Sequence, residues 1–97
     1  MLATVRSVAH IGLDAQIIDI ESDMSNGLPG FTVVGLANKA VEESKERVRS
    51  AIKNSGLNFP PKRLTVNLAP ADLPKTGSAF DLGIAIAILV SSGQIST

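Results

Sequence analysis

The chain has 97 residues, nine Lys or Arg against nine Asp or Glu, and a formal net charge of zero. With 44% hydrophobic and 19% charged residues it is not a disordered tail, and its length fits one domain. The absence of cysteine excludes disulfides, thiolate metal sites and cysteine catalysis. Zero net charge argues against bulk electrostatic binding of nucleic acid, and the aromatic content of 3%, all Phe, argues against base-stacking platforms.

In chain order, Leu2 to Ile11 is rich in β-branched and small residues, and Gly12-Leu13-Asp14 can turn it. Ala15 to Ser22 alternates, with Ile18 and Ile20 on one side and Asp19 and Glu21 on the other, as a half-buried strand does. Together they predict a β-hairpin. Ser25 to Gly30 is a dense turn cluster, and Phe31 to Val34 reads as a third strand closed by Gly35.

Asn38 to Ser55 is predicted to be an amphipathic helix. Val41, Ser44, Val48, Ala51, Ile52 and Ser55 form its small or apolar stripe, and the other face is charged. Asn38 is a candidate cap, Glu42 and Glu43 are assigned to the first turn, and Lys53 to the last. Gly56 can end the helix in the left-handed conformation. After Pro60-Pro61, Leu64 to Leu68 alternates as a fourth strand, and Ala69 to Gly77 is a loop with two prolines.

The apolar run Ala79 to Val90, broken only by Asp81, is about a dozen residues long, whereas a bilayer span needs roughly 20. Its length and alanine content favour a buried helix, with Ser78 and Asp81 in capping-box spacing at its start. No membrane or targeting segment is evident. The order is ββ-β-α-β-α: an α+β fold, with a small mixed sheet of about four strands and two helices.

Charge is unevenly spread. Asp14, Asp19, Glu21 and Asp23 put four negative charges on the first hairpin. Between Lys39 and Arg63 seven basic residues face three glutamates, a balance of +4. That stretch is the candidate surface for nucleic acid or an acidic partner, with Arg47, Arg49, Lys53, Lys62 and Arg63 as phosphate contacts. A solvated helix face is the plain alternative. The loop ending Lys75-Thr76-Gly77-Ser78 is a second candidate, where helix-start amides and Lys75 could receive an anion; otherwise Ser78 only caps the helix.

Other motifs fail on their chemistry. Gly30 and Gly35 have phosphate-loop spacing, but Leu36-Ala37 stands where Lys and a hydroxyl residue are needed. Ser50-x-x-Lys53 and Lys75-Thr76-Gly77 are chance likenesses to penicillin-recognising enzymes. His10 has no His or Cys companion with which to hold a metal.

Three long segments carry a family likeness: LPGFTVVGL (28–36), ESKERVRSAIKNSG (43–56) and FPPKRLTVNLAPADLPKTGSAFDL (59–82). They resemble the N-terminal domain of the YifB/ComM family of magnesium-chelatase-like AAA+ ATPases, over nearly the whole chain. Gly83 departs from a common Pro, and Ala37-Asn38 from a Pro-Asp-like pair. The resemblance implies that residues 1–97 form one accessory domain of a much longer cytoplasmic protein. An ATPase module needing ATP and Mg²⁺ would follow downstream, and this domain would need no cofactor itself. Partners would be that module, neighbouring subunits of a homo-oligomeric ring, and DNA. The ComM branch implies a DNA branch-migration motor in natural transformation.

The domain is also similar to the Lon protease domain, whose fold implies a left-handed βαβ unit, against the usual rule. Laid on Lon's run before the nucleophile, Pro74-Lys75-Thr76-Gly77 puts Ala79 at the serine's place. Ser78 falls one residue early, which on a helix is a swing of about 100°. No lysine follows Lys75 to activate a hydroxyl. A Ser-dependent peptidase remnant is therefore the weaker alternative, beside a purely regulatory protein-interaction module.

Overall fold

A computed structural model describes residues 2–11, 14–36, 38–69 and 80–95. Strands β1 (Leu2–Ile11) and β2 (Asp14–Ser25) form the hairpin, followed by β3 (Gly30–Val34), α1 (Asn38–Asn54), β4 (Arg63–Ala69) and α2 (Asp81–Ser91). The predicted α+β class and element order hold. The sheet order is β1-β2-β4-β3. β1 with β2 and β2 with β4 are antiparallel, while β3 and β4 are parallel across the α1 crossover.

β2 is longer than the alternation predicts. The sequence marks Asp14 and Ser25 as turn residues, but both are ladder positions, with Asp14 opposite Ile11 and Ser25 opposite Arg63. Pairing partners on two sides extend a strand beyond its apolar core.

The period of two assigns one face of the sheet to the interior. Ile18, Ile20, Phe31, Val33, Leu64, Val66 and Leu68 point into the helical layer and are buried. Val48 and Ile52 of α1 and Ile84 and Ile88 of α2 complete that core. The stripe on α1 is narrower than predicted: Ser44, Val48 and Ile52 are buried, whereas Ala51 and Ser55 are exposed. Glu42 and Glu43 are exposed and lie beyond the first turn, which begins at Asn38. They gain little from the helix dipole, because its effect fades within one turn. The side chain of Asn38, the candidate cap, lies outside the described residues.

Gly56, at φ +78°, closes α1 as predicted. Its N–H donates to the Lys53 carbonyl at 3.1 Å, and that of Leu57 to the Ile52 carbonyl at 3.2 Å, the paired bonds of a Schellman end. Gly35 is required for two reasons. Its φ is +102°, and a Cβ there would lie 2.3 Å from the backbone oxygen of Leu68.

α2 starts later than the capping-box spacing implies. Phe80 occupies the cap position with no side-chain cap bond, and Asp81 is the first helical residue. The Asp81 carboxylate has its described partners on α1. Ser78 lies outside the described residues.

Candidate partner-binding surface

α1 places its basic side chains at three different kinds of site. Arg47 turns toward α2, where its Nε donates to Asp81 Oδ2 at 2.5 Å and its Nη2 to Oδ1 at 3.5 Å. Glu43 lies one turn back on the same helix, 3.7 Å from Nη1. Ser44 Oγ also donates to Asp81 Oδ1, at 2.7 Å. A carboxylate that accepts from a guanidinium and a hydroxyl is a charge-assisted clamp between the helices. The hydrogen bond to Asp81 raises the Arg47 pKa above its ordinary value, against the opposing effect of desolvation. The guanidinium was already charged, so the shift records pairing and not a switch.

Arg49 lies against aromatic rings. Its guanidinium carbon is 5.1 Å from the Phe59 centroid and 5.8 Å from that of Phe31. The two rings pack at 5.4 Å with a 46° tilt. Lys45 joins them, with Nζ 5.8 Å from the Phe31 centroid and 3.4 Å from Glu42. Such cation–π contacts hold the charged heads near the rings while the alkyl stems cover apolar surface.

The other three candidates are exposed. Lys53 lies in the last turn of α1, where a cation complements the helix dipole. Lys62 Nζ donates to Asn26 Oδ1 at 3.0 Å, which ties the approach to β4 to the turn after β2. Arg63 opens β4, opposite Ser25 and Gly30 in the ladders. The five residues are therefore not one array: Arg47 and Arg49 are held against α2 and the aromatic rings, while Lys53, Lys62 and Arg63 are exposed, Lys62 with a bond to Asn26. Lys75, Thr76, Gly77 and Ser78 lie outside the described residues, as does the side chain of His10.

The uncovered face of the sheet is a surface that the charge balance of the sequence does not single out. Arg6, Asp19, Glu21, Asp23, Arg63, Thr65 and Asn67 alternate with the core residues and so share this face. Arg6 pairs with Asp19 directly across the ladder at 3.4 Å. Leu2, Val8, Ile17 and Val34 are exposed apolar residues on the same side. The acids of the hairpin are thus interleaved with cations. The alternation itself carried this signal, since both helices were needed on the other face.

Nor does the sequence single out Asp81 as a junction. Its one readable sign was its place as the sole charge in an apolar run, which calls for a partner. A further buried polar contact, Ser22 Oγ to Ser91 Oγ at 3.0 Å, ties β2 to the end of α2, and Ser91 Oγ also donates to the Ile88 carbonyl at 3.0 Å. Among the described residues no group of His, Cys, Asp and Glu could hold a metal ion. No described helix is long and apolar enough to cross a membrane.

The family model for subunit ChlI of Mg-chelatase matches residues 20–97. The chain belongs to this magnesium-chelatase-like family. Its YifB/ComM branch is fixed by individual relatives. Competence protein ComM of Haemophilus influenzae is 56% identical over 94 residues, covering 97% of this chain and 18% of the relative. The YifB proteins of Salmonella typhimurium and Escherichia coli are 55% and 52% identical over 95 residues, each covering 98% of this chain and 19% of the relative. This YifB/ComM-family chain therefore spans about a fifth of the length of the curated relatives it matches.

Proposed function

We propose that this chain is a noncatalytic accessory domain of a magnesium-chelatase-like AAA+ ATPase, working through contacts with the ATPase module and with neighbouring subunits of a ring. The observation that carries this reading is the uncovered sheet face, where paired charges and four exposed apolar side chains share one surface. A mixed surface of this kind suits a protein partner better than a phosphate backbone, which selects uniform positive charge. The parent would bind ATP and Mg²⁺ in the cytoplasm. Its likeness to a competence protein supports a role in natural transformation, where the family resemblance implies a branch-migration motor.

The test is made in the full-length protein. Glu21→Lys combined with Asp23→Lys reverses the sign of charge at two exposed positions of β2 and cancels that strand's negative charge. Sedimentation in the presence of nucleotide is expected to show loss of the ring, with the thermal unfolding of the domain unchanged. A normal ring with normal ATP hydrolysis would overturn the assembly reading.

DNA contact is the second reading, and the exposure of Lys53, Lys62 and Arg63 favours it. It predicts DNA binding that falls steeply between low and moderate salt, and that weakens further in Lys62→Glu with Arg63→Glu. Binding unaffected by both would remove it.

A further inference from the structure

β1 is an edge strand whose ladder to β2 runs without a bulge from Leu2–Asp23 to Ile11–Asp14. Among the described residues no strand pairs with the outer side of this ten-residue strand. Proteins usually blunt such edges with proline, lysine, a bulge or brevity. β1 has no proline, no lysine and one charge, Arg6. The opposite edge, β3, has five residues between Pro29 and Gly35. Among the described residues β1 is thus the edge left as a template for another strand.

The side chains of β1 select the occupant. Leu2, Thr4, Arg6 and Val8 lie toward the uncovered face, whereas Ala3, Val5 and Ser7 lie toward the helices. An antiparallel partner must keep these two sets apart, because a slip of one residue flips every side chain to the other face. Among registers that β1 could make with its own copy, the one centred on Val5 sets Leu2 opposite Val8, Ala3 opposite Ser7 and Thr4 opposite Arg6. Leu2 and Val8 are 60% and 51% exposed, so each pairing covers two apolar side chains. The same row continues to Ile17, the ladder partner of Val8, which is 55% exposed. Arg6 of the second copy then stands two strands from Glu21, roughly 10 Å at the usual strand spacing, within reach of long side chains. A register centred on Arg6 would oppose two guanidiniums, and one centred on Thr4 would leave Val8 unpaired. Zero net charge sets no long-range repulsion between copies.

We infer that β1 docks antiparallel on β1 of a second copy, with Val5 on the two-fold axis, to make a continuous eight-stranded sheet. This is independent of the ring contacts proposed for the uncovered face.

The native chain has no cysteine, so single cysteines give an unambiguous readout. Under mild oxidation Val5→Cys is expected to form a disulfide dimer. Ala3→Cys and Ser7→Cys should each fail alone and cross-link when mixed. Sedimentation equilibrium of the unmodified chain should show a monomer–dimer equilibrium. Val8→Lys, at an exposed position, should raise its dissociation constant at least tenfold with an unchanged circular dichroism spectrum. A chain that stays monomeric at high concentration overturns the inference. So does a dimer in which Ala3→Cys or Ser7→Cys alone cross-links as well as Val5→Cys, or one that Val8→Lys leaves intact.

Discussion

The two faces of the sheet are written in alternate residues of the same strands, yet they obey different rules. On the helix-covered side Ile18, Ile20, Leu64, Val66 and Leu68 are wholly buried, and their shapes are fixed by their neighbours. On the other side Glu21, Thr65 and Asn67 are exposed beside their cross-strand neighbours. The difference separates positions that hold the domain together from positions free to serve a partner. Substitutions can test how sharp that division is.

The largest effect is expected where no relaxation is possible. Gly35→Ala places a methyl group against the carbonyl of Leu68 in backbone that disfavours side chains. A loss of about 4 kcal/mol or more would consume much of the roughly 5–15 kcal/mol that domains possess. The variant should be largely unfolded by circular dichroism, and a cooperative urea transition near the wild-type midpoint would contradict the close approach. Next comes Ile84→Ala, which opens a cavity in the shared core and should cost about 3 kcal/mol in urea unfolding. Val34→Ala, on the exposed side at 47% accessibility, should cost about 0.5 kcal/mol or less. Equal costs at the two positions would erase the contrast between the faces.

The smallest and most diagnostic effect is at Gly83. A Cβ there would come 2.6 Å from Ile20 Cδ1, the far end of a buried side chain. Alanine gains about 1 kcal/mol of helix propensity over glycine, against the cost of moving that methyl. Gly83→Ala alone should therefore be near neutral or mildly destabilising. In an Ile20→Val background, where the methyl is gone, it should become stabilising. Additive effects in that double-mutant cycle would show that the two positions do not meet.

What was legible in the sequence follows from which forces are local. Ile18-Asp19-Ile20-Glu21 and Leu64 to Leu68 announce strands because the period of two needs no knowledge of the partner. Gly56 announces the end of α1 because its conformation is its own. Asp81 is different. Its spacing from Ser78 invites a local capping role, but its described partners, Arg47 and Ser44, lie more than thirty residues away. Arg47 and Arg49 likewise read as phosphate contacts, although Glu43 four residues before Arg47 is a legible partner, because nothing in α1 alone reveals that Asp81, Phe31 and Phe59 come to meet them. The membership of β2 in two ladders, which carries it to Ser25, is also invisible from its own residues.

The order of the strands has a consequence for how the chain acquires its shape. β1 and β2 can zip together as soon as both exist, since two residues separate them. β3 follows at once in sequence but has no place beside β2, because β4 occupies that seat. It must wait, unanchored, until α1 has been traversed and Arg63 to Ala69 arrive to be its neighbour on one side and that of β2 on the other. On a translating ribosome the nascent hairpin is thus an early island, and the remaining sheet closes in one late, long-range event.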